Sequence, residues 1–361
     1  MKKRGAIEIQ FNWIFVLIAG ALILAFFVMV ANMQIRTSEL EAEAKLRTNL
    51  NSVFNSARNS PGTIFEITMK KAELKYNDCY EGIWVGSRVE PIPIRLVFAP
   101  NLVKSVQGRL FLWALDWDMP YKVDNFMFIT SPDVRYVIVN SSVNTDKYAL
   151  GVFNATDAAS LPDKLNKVLV NEDKLSTIPA SNYYKTRFVF FEPGSYTLHS
   201  SFAAKGIDAS AVMIVPSSDG LDGYGKVTFQ KKQEGATTFT FTIASEGESS
   251  YIGRASVFGA IFAENRTMYE CAMRQAINRL RTVTTIYLAR TDSLETRFAA
   301  TASDCGPANT DIYPLSYDYL QKMLEDTNTF SISSFANIYS NALELKTLNR
   351  KATMLSCPVV Y

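Results

Sequence analysis

Histidine is almost absent from this chain, since His199 is the single imidazole among 361 residues. The four cysteines form no C-x-x-C pair, and none of them lies near His199 in the sequence. Zinc sites usually need clustered thiolates, or thiolates together with imidazoles, so we predict neither a metal site nor a cofactor. A Ser-His or Cys-His nucleophile would have to use His199, which lies in an ordinary polar stretch.

The sequence motifs of several enzyme classes are also missing. There is no G-x-S-x-G nucleophile elbow, no Walker loop, no G-x-G-x-x-G fingerprint and no H-E-x-x-H pair. The formal net charge is only +2, with 37 basic against 35 acidic residues, so the chain has no bulk attraction for nucleic acid. We therefore favour a non-enzymatic protein that does not bind nucleic acid.

One long segment lacks charge altogether, and it runs from Trp13 to Ala31. At about 1.5 Å per residue, this run nearly crosses a hydrocarbon core of about 30 Å. Because backbone groups in lipid must pair with one another, the segment must be helical, and we predict a transmembrane helix over residues 11–33. Asn32, Met33 and Gln34 follow in place of a small-x-small site, so removal by signal peptidase is not expected.

Basic residues set the predicted orientation of this helix. Lys2, Lys3 and Arg4 precede it within a short leader, residues 1–10, whereas the segment after it mixes both signs of charge. The positive-inside rule therefore leaves the N-terminus in the cytoplasm and sends the main domain out of it. We expect a single-pass protein of the cell membrane, in contact with lipid.

The helix is predicted to continue beyond the membrane as an amphipathic stalk over residues 34–60. Leu46, Leu50, Val53 and Ala57 follow one another at i, i+4, i+7 and i+11, which places them on one face of a helix. Ser60-Pro61-Gly62 then ends the helix. The chain is thus expected to begin with one helix of nearly fifty residues.

This N-terminal arrangement resembles the type IV pilins and pseudopilins, and most of all the archaeal class III signal type. Lys2-Lys3-Arg4-Gly5 corresponds to the basic leader, and the helix that begins at Phe11 corresponds to the assembly helix. The resemblance implies processing between Gly5 and Ala6, and assembly with itself or with pilin-like subunits. It implies for Glu8 the neutralisation of a neighbouring subunit's α-amino group inside the apolar bundle.

The resemblance covers only about the first sixty residues and includes one departure. After cleavage at Gly5, Glu8 would be the third residue, whereas the pilin pattern usually has this residue fifth. An uncleaved signal anchor with a helical stalk is the alternative. The remainder of the chain, with its Cys-Pro-Val-Val-Tyr ending, is similar to uncharacterised archaeal membrane-anchored proteins, and this similarity implies no activity.

Covalent features are expected in the outer domain. An even number of widely spaced cysteines outside the cytoplasm favours two disulfides. We predict one bond among Cys271, Cys305 and Cys357, with Cys79 bonded to the third. Three sequons are compatible with exposed, glycosylated positions, and their asparagines are Asn140, Asn154 and Asn265.

Residues 63–361 are predicted to form one α+β domain, rich in strands over 63–260 and helical over 261–361. A doubly wound α/β fold around a helix at Leu161–Val170 is the alternative. Residues 140–147 are predicted to form a polar loop. The predicted strands are Ile64–Met69, Ile92–Phe98, Arg109–Leu115, Phe126–Thr130, Val134–Val139, Arg187–Phe191, Ala211–Val215, Gly225–Gln230 and Thr238–Ile243. The later predicted helices are Glu264–Arg297, Ser316–Asp326 and Ser333–Lys351.

The leading functional hypothesis is a membrane-anchored surface or pilin-like structural protein that assembles through its N-terminal helix. The alternative is a membrane-tethered carbohydrate-binding or glycoside-hydrolase-like module. It would use Asp116 and Asp118, which share one face of a strand, with Trp113 or Trp117 stacking on a sugar ring. Asp219 and Asp222, in a Gly-rich stretch, are interpreted as part of a hairpin turn and not as a Ca²⁺ loop.

Overall fold

The structure is a computed structural model, and it describes the chain in eleven segments. They are residues 5–68, 73–78, 82–85, 91–92, 95–104, 108–141, 143–155, 159–242, 247–299, 305–306 and 311–361. Within these segments the side chains of 5–12, 39–40, 42–43, 46, 77–78 and 143–144 are not described.

The chain begins with one uninterrupted helix, α1 (Gly5–Arg58), of 54 residues. At about 1.5 Å per residue it is about 80 Å long. Its first half extends away from the rest of the protein, while Leu50, Phe54 and Ala57 in its last turns are fully buried. The predicted stop is confirmed, because α1 ends at Arg58 and Gly62 follows with a φ of +80°. Such a value suits glycine and is unfavourable for other residues.

Two sheets lie next to the end of α1. A four-stranded sheet has the order β1-β6-β7-β4 and is antiparallel except for the parallel pair β4 and β7. A three-stranded antiparallel sheet has the order β3-β2-β5. These strands are β1 (Ile64–Thr68), β2 (Glu73–Asp78), β3 (Gly82–Val85), β4 (Val97–Phe98), β5 (Leu102–Lys104), β6 (Arg109–Asp118) and β7 (Lys122–Thr130).

A larger mixed sheet forms the other side of the head. Its order is β15-β13-β12-β10-β8-β9, in which β9, β8, β10 and β12 are parallel and β13 is antiparallel to both neighbours. The pair β11-β14 packs on it. The elements are β8 (Val134–Asn140), α2 (Val143–Phe153), β9 (Asn166–Asn171), β10 (Lys185–Phe190), β11 (Gly194–Thr197), β12 (Asp208–Ser217), β13 (Gly220–Lys231), β14 (Thr238–Phe241) and β15 (Glu248–Ile252).

Four helices follow the last strand. They are α3 (Arg254–Phe262), α4 (Arg266–Ala299), α5 (Ile312–Asp326) and α6 (Ile332–Met354). Helix α6 packs on β13 and β15, α4 contacts β4 and β7, and α5 lies against α4 and α6. Strands followed by helices give the α+β fold that the sequence predicts, and this prediction is confirmed.

The layers are held together because both main sheets are buried on both faces. On β6, Trp113 and Trp117 face the central core, whereas Leu110 and Leu112 face the core that contains the end of α1. Residues two apart on a strand share a face, so one strand supplies both cores. On β10, Phe188 and Phe190 similarly face a third core, against β11 and β14.

Helix α3 lies inside the central core, between the four-stranded and six-stranded sheets. Eight consecutive residues, 255–262, are buried, and a helix that is apolar all round is typical of such a position. A Cβ at Gly259 would come within 2.8 Å of the Phe98 ring, so glycine allows the close approach to β4. The carbonyls at the C-terminal end of this buried helix therefore need hydrogen-bond partners within the protein.

Arg187 on β10 satisfies the carbonyls at the C-terminal end of α3. Its guanidinium donates five hydrogen bonds to backbone carbonyl oxygens, four of them at the end of α3 or just after it and one on β12. The acceptors are Ala260, Ile261, Ala263, Glu264 and Ala211, at 2.8–3.3 Å. Burial lowers the pKa of Arg187 to about 10, which still leaves the guanidinium charged at neutral pH. A cation here also complements the negative end of the helix dipole.

An ionic cluster lies beside Arg187. The buried Lys185 ammonium is 2.6 Å from Glu264 Oε2 and 3.1 Å from Asp208 Oδ2. Glu264 Oε2 also accepts the backbone N–H of Asn101 at 3.0 Å. Burial alone would raise the pKa of the Glu264 carboxyl, but attraction to Lys185 and these hydrogen bonds outweigh burial and lower it. The cluster joins the six-stranded sheet, the α3–α4 connection and the segment before β5.

Two local predictions are wrong. Residues predicted as a loop, 140–147, contain the start of α2, and the predicted helix Leu161–Val170 contains β9. Leu161 and Leu165 do share a buried environment, but they lie in the turn before β9. Strand β9 forms because it pairs in parallel with β8, so tertiary pairing overrides the local pattern. The crossover helix of this β-α-β unit is α2.

The other strand predictions are confirmed with shifted ends. Only the last two residues of the predicted Ile92–Phe98 strand form β4, and residues 93–94 lie outside the described residues, as do Met69 and Ile243. The pair β12-β13 turns at residues 218–219, so the turn is confirmed but most of the Gly-rich stretch belongs to β13. Strand β14 pairs with β11 and not with β13. The helix predicted at Glu264–Arg297 is α4.

We predict that Glu264→Gln destabilises the head by about 3 kcal/mol at neutral pH, because it leaves the Lys185 ammonium buried without its main counter-ion. The folded pKa of Glu264 lies below its ordinary value of 4.5. The stabilisation is therefore present above that value and lost as the pH falls through the folded pKa. Chemical unfolding at several pH values should show a difference from wild type that shrinks in acid.

The matched control for this change is Glu248→Gln, which removes a more exposed ion pair, to Lys226 at 2.9 Å. Exposed pairs contribute at most about 1 kcal/mol, so this variant should stay close to wild type. Equal effects of the two variants, or a Glu264→Gln effect that does not vary with pH, would contradict the assigned role of the cluster.

Candidate functional site

The free half of α1 is the most unusual surface of the protein. From residue 13 to residue 38 the side chains are exposed all round the helix, apart from Ala19, which is half-buried. The large apolar side chains of this region, from Trp13 to Ile35, are among the most exposed in the protein. One helix is therefore long and apolar enough to cross a membrane, over Trp13–Ser38 near the N-terminus of the described chain.

The other end of α1 is built into the head. Leu50, Phe54 and Ala57 share a core with Met268 on α4 and with the outer face of β6 and β7. The last carbonyl of the helix, at Arg58, accepts a hydrogen bond from Asn125 Nδ2 at 2.7 Å. The end of α1 is thus fixed to the four-stranded sheet by apolar packing and by the hydrogen bond from Asn125 to its last carbonyl. No linker separates the apolar part of the helix from the folded head.

A polar cavity of about 580 Å³ lies beside this junction. The end of α1 contributes Arg58, the segment before β4 contributes Arg95 and Leu96, and β7 contributes Asp124. The fourth wall is α4. Leu96 has a φ of +58°, which an L side chain rarely adopts, and its carbonyl accepts the N–H of Met127 at 3.0 Å. This backbone conformation holds Arg95 at the cavity.

The α4 wall is a stripe of four polar side chains. Gln275, Asn278, Arg279 and Thr282 are spaced at i, i+3, i+4 and i+7, so they share one face of the helix. Another face of α4 carries buried residues such as Met273 and Ile277 that pack into the central core. The stripe is thus the solvent-facing, polar side of a helix whose position is fixed by its apolar side.

Among the described residues that line this cavity, three arginines face one carboxylate, so positive charge exceeds negative charge. Asp124 Oδ1 is 2.5 Å from Arg58 Nη2, and Asp124 Oδ2 is 3.9 Å from Arg279 Nε. Arg95 is exposed and forms no ion pair with another described residue. One carboxylate cannot neutralise three guanidiniums, so the cavity is an electropositive site with hydrogen-bond donors along one wall.

Asp116 and Asp118 do share one face of β6, as expected, but the tryptophans lie on the opposite face. Trp113 and Trp117 are buried in the central core, and Trp117 Nε1 donates to the Ile252 carbonyl at 3.0 Å. Asp116 pairs with Lys122 at 2.5 Å. Partial burial, and next the charge of Asp116, raise the pKa of Asp118. The two carboxylates are exposed on a strand end, without an aromatic platform.

The remaining candidate residues have local structural roles. His199 Nδ1 lies 3.1 Å from the backbone N–H of Ser201 and caps a short 3-10 helix, Ser200–Ala203. Asp222 pairs with Arg254 through both oxygens, at 2.7 and 3.0 Å, while Asp219 accepts from Ser217 within the β12-β13 turn. These contacts give His199, Asp219 and Asp222 structural roles, and none of these roles requires a bound ligand.

The expected disulfide in the C-terminal third is confirmed, and it joins Cys305 and Cys357. Cys271 is disulfide-bonded as well. Its predicted partner, Cys79, lies outside the described residues. The bond between Cys305 and Cys357 ties the connection between α4 and α5 to the segment after α6.

The three sequons differ in exposure. Asn154 is exposed, Asn140 donates its amide to Asp146 at 2.8 Å, and Asn265 accepts the N–H of Met268 at the start of α4. The predicted processing residues Gly5 and Ala6, and Glu8, lie on the first turns of α1. Their side chains, and all of residues 1–4, are outside the described part of the structure.

Comparisons with known proteins leave the chain without an assigned family. No family model matches it, and neither the curated proteins nor the solved structures contain a match. Among the described residues, no group of three or more His, Cys, Asp or Glu side chains is arranged to hold a metal ion. The function has to be argued from the geometry.

Sequence reasoning missed two of these features. Lys185 and Arg187 lie on one strand, but Glu264 is distant from them in the chain and no motif links the three, so only the fold brings Glu264 to the pair. The cavity gives one signal in the sequence, the polar stripe at i, i+3, i+4 and i+7 on α4. The arginines that face this stripe, Arg58 and Arg95, are placed there by the end of α1 and by the strained turn at Leu96.

Replacing Cys305 and Cys357 together by serine should destabilise the head by about 4 kcal/mol, because the bond closes a loop of 52 residues in the unfolded chain. Chemical unfolding of the full chain in detergent measures the change. Ser293→Ala, at an exposed position of α4, should leave stability unaltered. An unchanged unfolding free energy in the double variant would show that the bond does not constrain the chain.

Proposed function

We propose that this protein is a membrane-anchored, extracytoplasmic structural protein that assembles through α1 in the manner of a pilin or pseudopilin. The observation that supports this most strongly is the continuity of α1. One helix of 54 residues carries an apolar surface exposed all round at one end and is part of the core of a folded head at the other.

An apolar surface on every side of a helix has two stable environments, lipid and other apolar helices. Before assembly the segment Trp13–Ser38 lies in the membrane. In an assembly the same segments pack against one another, and the heads are held outside the bundle by the buried turns at Leu50, Phe54 and Ala57. The same apolar surface faces lipid in one state and other helices in the other. In both states the continuous helix holds the head at a fixed position relative to this surface.

Glu8 has a specific role in this proposal. It precedes the apolar segment that begins at Trp13, and a lone carboxylate would be costly there once the first turns of α1 enter an apolar helix bundle. A neighbouring subunit cleaved between Gly5 and Ala6 would offer a free α-amino group, and the pair would neutralise each other where water is excluded. The charges thus favour a particular register between helices over random association.

An uncleaved signal anchor with a stalk is the second candidate, favoured by the position of Glu8 only three residues after Gly5. The mass of the native N-terminal peptide separates the two. A chain that begins at Ala6 supports pilin-like processing, whereas a chain that retains Lys2 to Gly5 supports the simple anchor. The carbohydrate-active alternative at Asp116 and Asp118 has no such support, since Trp113 and Trp117 lie in the core.

We predict that Glu8→Ala abolishes assembly without unfolding the head, because it removes the charge that pairs with the neighbouring chain. Cross-linking in native membranes, followed by gel electrophoresis, measures assembly, and proteolysis resistance of the head measures folding. The matched control is Glu41→Ala, an exposed acidic residue on the same helix. Unchanged cross-linked species in Glu8→Ala would contradict the proposed role.

A further inference from the structure

We infer that the cavity at the α1–head junction is a binding site for a small, hydroxyl-bearing organic anion, such as a sugar acid. The inference goes beyond the proposed assembly and does not depend on it. The cavity is lined by Arg58, by Arg95 and by the polar stripe of α4, which includes Arg279. Among the described lining residues, Asp124 supplies the one carboxylate.

The charge of the lining determines the charge of the ligand. Asp124 already contacts Arg58 closely and Arg279 more distantly, at 2.5 and 3.9 Å, which leaves Arg95 uncompensated among the described residues. Guanidinium groups bind carboxylates, sulfates and phosphates through pairs of parallel hydrogen bonds. The site therefore favours a ligand with at least one anionic group, placed between Arg95 and Arg279.

The volume of the cavity and the side chains of its α4 wall indicate the size and polarity of the uncharged part of the ligand. A volume of about 580 Å³ is within the range of small-molecule sites and is much larger than an inorganic anion needs. Gln275 and Asn278 carry amide groups in a row beside Arg279, and the Thr282 hydroxyl, which donates to the Asn278 carbonyl at 3.0 Å, can still accept a hydrogen bond. Such groups donate to and accept from hydroxyls, so the body of the ligand is expected to be polar, with several hydroxyl groups.

A lipid headgroup is excluded by distance when α1 spans a membrane over Trp13–Ser38. Arg58 follows Ser38 by twenty residues, which is about 30 Å along a continuous helix. Electrostatic attraction between exposed charges is screened beyond about 8 Å at physiological ionic strength. The ligand thus comes from the solvent around the head.

Asp124 is expected to compete with the ligand. It occupies Arg58 and approaches Arg279, so it acts as an internal anion in the free site. An incoming carboxylate has to share these arginines with Asp124. Removing the Asp124 charge should therefore strengthen binding, whereas removing an arginine should weaken it. Any electropositive surface would show these opposite effects, so an arginine outside the cavity is needed to separate binding at this site from a general attraction of anions.

Calorimetric titration of the full chain in non-ionic detergent tests the inference, with glucuronate, glucose and inorganic phosphate as probes. Glucuronate should bind once per chain, more tightly than phosphate, and glucose should not bind measurably. Arg279→Ala and Arg95→Ala should each weaken glucuronate binding about tenfold, since hydrogen bonds to charged groups have that effect. Asp124→Asn should strengthen it several-fold.

The matched control is Arg281→Ala, because Arg281 is exposed on the same helix but does not line the cavity. It removes the same charge and should leave binding unaltered. Thermal unfolding of every variant confirms that the heads are folded. Asp124→Asn also removes a contact with Arg58 at the end of α1, so the two arginine variants, on exposed side chains, give an independent result.

Four outcomes would overturn the inference. Equal binding of glucose and glucuronate would remove the role of charge, and equal losses in Arg281→Ala and Arg279→Ala would remove the role of the cavity. Tighter binding of a peptide of residues 37–44, the acidic part of the stalk, than of any small probe would identify a second copy of this chain as the occupant. Equal binding of phosphate would contradict the hydroxylated body of the ligand.

Discussion

The hydrogen bonds from Arg187 to the end of α3 are the interaction on which the packing of the head depends. The last carbonyls of a buried helix need hydrogen-bond partners, because unpaired carbonyls in such a place are costly. Arg187 resolves this with one side chain that reaches two strands and a helix end. The carboxylates of Glu264 and Asp208 then balance the positive charges that Arg187 and Lys185 bring into the interior.

Because α3 can stay buried, the two main sheets can face each other across it. The aromatic faces of β6 and β7 pack on one side of α3, and β12, β13 and β15 pack on the other. The opposite face of β6 is then free to receive the end of α1. The attachment of α1 to the head therefore depends on the burial of α3, although the two helices belong to different cores.

The sequence predicted those elements whose pattern is set by the chain itself. Helix α1 was predictable because its run without charge is long and because Pro61-Gly62 follows it, and β6 because its apolar run, 110–115, lies between charged residues. Helix α2 was missed because only Ala149 and Val152 among its apolar residues are fully buried, which leaves a short apolar stripe. Strand β9 was missed because its partner, β8, determines its conformation. The cavity and the Arg187 cluster were out of reach for the same reason, since residues from distant segments meet only in the folded chain.

The unbroken course of α1 has a mechanical consequence. Between Ser38, at the end of the apolar segment, and Leu50, the first fully buried residue, lie about 18 Å of helix with no glycine or proline. A helix without such residues bends only gently, so there is no joint at which the head could swivel. Tension applied to the head is carried along the axis of α1 to its apolar end, and a twist of that end turns the head with it. The molecule is therefore stiff along α1, and the buried turns at Leu50, Phe54 and Ala57 fix this helix to the head.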